Sequence, residues 1–243
     1  MKHIKLYENF VDVDNQKLQK LIDYCENNLD MNITLGREYF YQSITSCILD
    51  AVFSIGISYE QTKKVVERYN QNFNLKEYRD SNDYSPISEQ DSILDFLKRN
   101  EKIGFEKMAT EVYKNRCRTS THAKSILKSE AAYLFAKTLN KFGINFLQDI
   151  KGQNEQLEKE IRQIPGQTTG ISLDYFYMLA GDENFVKFDR MMMRFMMDAI
   201  GEIPNKYETK ELINKAVEIL KNKYPNLTSR LLDHQIWLFQ RNR

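Results

Sequence analysis

The stretch Gln163-Ile-Pro-Gly-Gln-Thr-Thr-Gly-Ile-Ser-Leu-Asp-Tyr-Phe-Tyr-Met-Leu-Ala-Gly-Asp-Glu-Asn-Phe-Val-Lys-Phe-Asp189-Arg190 governs the reading of the whole chain. The charged segment leading into it, Asn154 to Gln163, reads as a helix that stops at Pro165-Gly166, where proline lacks an N–H and glycine readily leaves helical φ. Leu173, Phe176, Tyr177 and Ala180 then recur at helical spacing and predict a second helix from Ile171-Ser172. The link between the two leaves room only for a tight turn, with Gly166 and Gly170 suited to positive φ. A helix starting there presents unpaired backbone N–H groups and the positive end of its dipole, a setting that suits a phosphate. Gly181 closes this helix, and Asp189 opens the next, Arg190 to Ile200.

Outward from this stretch, composition argues for helices throughout. The 243 residues hold only 9 Gly and 4 Pro, and 42% of them are hydrophobic, so a sizeable core with few breakers is expected. Helices are predicted over 15–28 with Asp14 or Asn15 as cap, over 39–53 as a buried central helix, and over 60–69, 89–100, 104–112 and 124–142. Beyond Asp189, helices are predicted over 190–200, 210–223 and 229–241, the last docking Leu231, Leu232, Ile236 and Phe239 inward. The run Met191-Met-Met-Arg-Phe-Met-Met197 reads as adaptable core packing. No internal repeat or low-complexity segment interrupts the pattern.

A formal net charge of +1 means that any polyanion must be held by a local patch rather than by overall charge. Such a patch exists in Lys114-Asn-Arg-Cys-Arg-Thr-Ser-Thr-His-Ala-Lys-Ser-Ile-Leu-Lys128, which has no acidic residue and carries Lys114, Arg116, Arg118, Lys124 and Lys128. By itself it is either a solvated basic face or a contact for a nucleic-acid backbone. Its hydroxyls, Thr119, Ser120 and Thr121, are suited to cap the helix that follows or to bond phosphate oxygens. Cys25, Cys47 and Cys117 lack metal-ligand spacing and read as reduced thiols of a cytoplasmic protein. Residues Met1 to Glu8 lack the apolar run of an export signal, and no stretch is long enough to span a bilayer. His3, His122 and His234 form no ligand pattern, and His234 reads as a helix-surface or packing residue, so no metal site is expected. No Walker loop or dinucleotide fingerprint is present.

Ile164-Pro-Gly followed by a small-residue turn, an apolar helix and an Asp at the start of the next helix resembles the helix–hairpin–helix/GPD superfamily of DNA glycosylases. The resemblance implies an all-α, two-lobed fold with a cleft between the lobes. Its central lobe would be residues 38–183 with the hairpin at 164–170, and its second lobe residues 1–37 plus 184–243. It implies that double-stranded DNA is the partner, with no membrane and no obligate protein partner. Ile164, Gly166, Thr168, Thr169 and Gly170 would grip the DNA backbone with help from a monovalent cation, while Arg116, Arg118, Lys124, Lys128 and Lys187 extend the footprint. Where the family hairpin usually reads Leu-Pro-Gly-x-Gly, this chain has Thr168 at the second glycine, so that Gly170 would take its role in a turn one residue longer.

The family's catalytic Asp corresponds to Asp189. Breaking a base–sugar bond develops oxocarbenium-like charge on the sugar, which a carboxylate can stabilise while it activates water. Asp is also a favoured N-cap, so capping and catalysis both stand on the residue alone. The resemblance favours catalysis, and the roles can coexist. Relatives with lyase activity carry a hairpin lysine, but Thr169, Gly170 and Ile171 offer no amine, which implies a monofunctional enzyme. The iron–sulfur cluster of many relatives is excluded because no cysteine follows Cys117. A Gln that fills the gap left by an extruded base corresponds to Gly56, leaving Ile57 or Tyr59 as the wedge. Tyr39, Tyr41, Asp50 and Tyr175 are candidate walls for the base, among 14 Tyr and 14 Phe. The alternative function is a DNA-binding protein on the same scaffold without the chemistry.

Overall fold

The chain is helical over most of the segments where apolar residues recur at helical spacing, and the computed structural model, which describes residues 14–32, 34–241 and 243, holds no strand among them. The chain forms two units, one of Leu35–Lys187 and one joining the residues up to Thr34 with Phe188–Arg243. His3 and the expectation for Met1 to Glu8 lie outside the described residues.

The larger unit is built around α2 (Ile44–Phe53), every residue of which is buried. Helices α3 (Tyr59–Asn72), α6 (Lys128–Lys141) and α8 (Ile171–Leu179) pack against it. Around them lie α4 (Ile93–Ile103), the single turn α5 (Phe105–Lys107) and α7 (Glu155–Ile161). Beyond α5 the chain continues in a wider turn through Val112, where the Tyr113 N–H reaches the Met108 carbonyl at 2.8 Å. Ser58 caps α3 and Ser92 caps α4 through their hydroxyls, as expected of short polar side chains before an apolar run. A buried polar network crosses this core: Tyr69 and Thr45 donate to the Asp91 carboxylate at 2.7 and 2.9 Å, and Arg99 pairs with it at 2.7 Å.

Three helices begin later than the sequence predicts: α4 starts at Ile93 behind its Ser92 cap rather than at residue 89, and α2 and α6 are delayed for a shared reason. Residues 39–43 do not join α2, because Gln42 donates to the Glu77 carbonyl and Arg79 to that of Phe40, at 2.9 and 2.8 Å. Residues 124–127 do not join α6, because Thr119 donates to the Ile126 carbonyl and Lys128 to that of Cys117, both at 2.9 Å. In each case pairing with another segment, distant for residues 39–43 and across one loop for 124–127, satisfies the backbone in an extended form. The hydroxyls of Thr119, Ser120 and Thr121 therefore do not cap α6, whose N-cap position is Leu127.

The smaller unit holds α1 (Asn15–Asn28), α9 (Arg190–Ile200), α10 (Lys206–Leu220) and α11 (Ser229–Arg241). Helix α10 starts earlier than predicted because Asn205 accepts the Tyr207 and Glu208 amides at 3.0 and 3.1 Å. Asp14 caps α1 in the same way. Leu21, Cys25, Phe195, Met196, Ile213 and Leu232 fill the core, and Tyr24, Phe195 and Phe239 meet edge to face. Within the methionine run, Met192 and Met196 are buried while Met197 is exposed. His234 is buried and stacks on Trp237, a packing rather than a surface position.

Candidate functional site

Helices α7 and α8 are joined by a turn whose two glycines both take positive φ, +85° at Gly166 and +75° at Gly170. Asn154 caps α7, accepting the Gln156 and Leu157 amides at 3.0 Å each. Ile164 anchors the turn in the core, and Gln167 is buried, with its side-chain oxygen accepting from the Ser172 hydroxyl. Two amides of the turn bond internally: Gln167 to the Ile164 carbonyl at 2.9 Å and Gly170 to the Gln167 carbonyl at 3.0 Å. Those of Thr168, Thr169, Ser172 and Leu173 have no partner among the described residues, and Thr168 and Thr169 are exposed. Arg162, which sequence reasoning missed, lies across the turn. Its guanidinium pairs with Glu158 at 2.7 Å and would stand 3.0 Å from a Cβ on Gly170.

The basic loop meets this turn directly. A Cβ on Gly166 would stand 2.5 Å from the Cβ of Thr119, so the bare face of Gly166 is filled by the loop's own side chain. The structure thus brings together two segments that the sequence offered as separate phosphate contacts. Lys114, Arg116, Arg118 and Lys124 are exposed, and Arg116 pairs with Glu106 at 3.3 Å.

Lys128 is not part of this surface. It is buried, and its ammonium donates to the carbonyls of Phe53 (2.7 Å) and Ile55, at the end of α2. Burial lowers its pKa to about 8, against a smaller opposing effect of Cys117. The residue closes a helix end and, being buried, is not offered to a phosphate at the surface.

Asp189 belongs to the smaller unit and is the N-cap of α9. Its Oδ1 accepts the amides of Met191 at 2.8 Å and Met192 at 3.3 Å, and the side chain is only partly covered. Lys187, two residues earlier in the chain, belongs to the larger unit, where its Nζ lies 3.9 Å from the centre of the Tyr175 ring, a cation–π contact.

That ring leads to a buried cluster. Tyr41 donates to Oδ2 of Asp50 at 2.9 Å, and Tyr175 approaches the same oxygen at 3.4 Å. Tyr78 stacks on Tyr41, and the Arg37 guanidinium lies 5.0 Å over Tyr78. Burial, and then Asp50, push the Tyr41 hydroxyl well above the usual tyrosine range. Of the four candidate walls for a base, three thus meet at one carboxylate, while Tyr39 is buried in the surrounding core.

Among the described residues no group of three or more His, Cys, Asp or Glu is placed to hold a metal ion, and no helix is long and apolar enough to cross a membrane. The described residues are all-helical in their regular structure; the larger unit carries a glycine-turned hairpin with a basic loop seated on it, and the smaller unit a capping carboxylate. The chain belongs to the family described as Domain of unknown function (DUF8548), which matches residues 19–241. No curated protein and no solved structure matches it.

Proposed function

We propose that the protein is a monofunctional DNA glycosylase of the two-lobed helix–hairpin–helix class, which hydrolyses the N-glycosidic bond of a damaged or modified base in duplex DNA. The observation that carries this reading is the pairing of a glycine-turned hairpin, whose exposed Thr168 and Thr169 have unpartnered amides, with the basic loop that touches it at Thr119. The hairpin amides and Arg118 and Lys124 bind the backbone, and a monovalent cation at the turn belongs to the same reading.

Asp189 carries the chemistry. As the C1′–N bond breaks, its electron pair leaves with the base and the sugar gains oxocarbenium character. The carboxylate stabilises that charge, and water adds to C1′ as Asp189 takes its proton. The departing base takes up that proton, and the products are a free base and an abasic strand. Strand cleavage through a Schiff base needs an accessible amine. None stands on the turn, and the lysine with a lowered pKa, Lys128, is held by two carbonyls. Incubation with duplexes carrying alkylated, deaminated or oxidised bases should release one of them, and borohydride should trap no covalent adduct on abasic DNA. A trapped adduct would overturn the monofunctional assignment, and release from no substrate would overturn the enzyme.

A second reading, duplex binding without chemistry, is favoured by one observation: Oδ1 of Asp189 already serves two helix amides. It requires salt-sensitive DNA affinity and no base release.

A further inference from the structure

Thr119 faces two ways. Toward its own loop, its N–H donates to the Ile126 carbonyl at 2.9 Å and its Oγ1 accepts the Ile126 amide at 3.3 Å, so one residue closes the loop with both backbone and side chain. Toward the hairpin, its Cβ, Cγ2 and carbonyl oxygen surround the place where a side chain on Gly166 would start, at 2.5, 3.1 and 3.3 Å. Arg118, the neighbour of Thr119, is exposed, as is Lys124 on the returning side of the loop.

A cation on an untethered loop must be ordered each time it meets a phosphate, and that cost reduces what the contact contributes to binding. Here the loop is closed on itself and seated on the turn, so its cations are ordered in advance. We infer that Thr119 is a positioning residue. By fixing the basic loop on Gly166 it makes Arg118 and the hairpin one surface that takes successive phosphates of a continuous strand, rather than two independent sites for single phosphates. The inference rests on the proposed DNA-binding role of the hairpin but not on the chemistry at Asp189.

The test is a double-mutant cycle read as the salt dependence of duplex affinity. Arg118→Ala alone should reduce the slope of log K against log salt by about 0.9, the value for one phosphate. Gly166→Ala drives a methyl group into Thr119, displacing the loop, and should reduce the slope by at least as much. The double variant should then match Gly166→Ala alone. Gly143→Ala is the strain control: Gly143 has φ +78° with nothing within 4 Å of its Cβ position, so the variant bears backbone strain without a clash and should keep the wild-type slope. If Gly166→Ala does not fold, Thr119→Ala serves, and the effect of Arg118→Ala should shrink in its background.

Inorganic phosphate should compete poorly with the duplex, whereas a short oligonucleotide should compete well. Additive effects of Arg118 and Gly166, a matching loss in Gly143→Ala, or full competition by inorganic phosphate would each overturn the coupling while leaving base release intact. Absence of duplex binding at low salt would overturn both the coupling and the DNA-binding reading. Coupling without any base release would refute only the enzymatic reading.

Discussion

The Lys128 ammonium donates to the Phe53 carbonyl at 2.7 Å, closing α2 from within the core. Lys128→Met removes the donor and leaves two helix-end carbonyls, those of Phe53 and Ile55, without it. A loss of about 1–3 kcal/mol at pH 7 is expected, measurable as a shift in urea midpoint. The pH dependence has a definite sign. The folded pKa, about 8, lies below the ordinary lysine value of 10.5, so between them the unfolded chain binds more protons and stability rises with pH. The excess stability of wild type over Lys128→Met should therefore grow from about pH 8 upward. A flat or falling difference would count against a buried ammonium.

Tyr41 and Asp50 give a second, independent test. Tyr41→Phe removes the hydroxyl that donates to Asp50 at 2.9 Å, and should cost about 1–3 kcal/mol. Tyr175→Phe should cost less, since its hydroxyl stands at 3.4 Å from the same oxygen. Because its pKa is raised in the folded state, Tyr41 holds its proton where the unfolded chain would release it. Its contribution to stability is present below the ordinary value of 10.0 and declines above it. Alkaline titration followed by tyrosinate absorbance should show this residue ionising only as the chain unfolds.

Asp189 also carries a structural share that can be measured apart from any chemistry. Asp189→Ala removes an acceptor for the Met191 and Met192 amides and should cost about 1 kcal/mol. Asp189→Asn keeps an oxygen in the same place and should cost less. Thermal unfolding of the two variants beside wild type gives the comparison, and equal losses would argue that the cap is not formed in solution.

The sequence carries much of this local structure, because local rules decide it. Helices α1, α9 and α11 have the predicted bounds. Asp14 and Asp189 mark the starts of the first two, and an unbroken apolar repeat carries the third. The starts of α2 and α6 were not legible, since Gln42 pairs with Glu77, far along the chain, and Thr119 pairs with Ile126 across a loop whose apolar spacing continues that of the helix. Lys128 misled for a related reason. A lysine in a basic run looks the same whether its amine reaches solvent or a buried helix end. At the hairpin, the need for glycine at 166 and 170 was legible as positive φ, but Thr119 and Arg162, which fill the space beside them, were not.

The most direct measurement is single-turnover base release from lesion-bearing duplexes by wild type and Asp189→Asn, with both proteins shown to be folded and to bind the duplex alike. Wild type should release the base and leave an intact abasic strand, and the variant should lose at least about 100-fold in rate, as for removal of a group stabilising transition-state charge. Equal release by the two proteins would contradict the role proposed for Asp189.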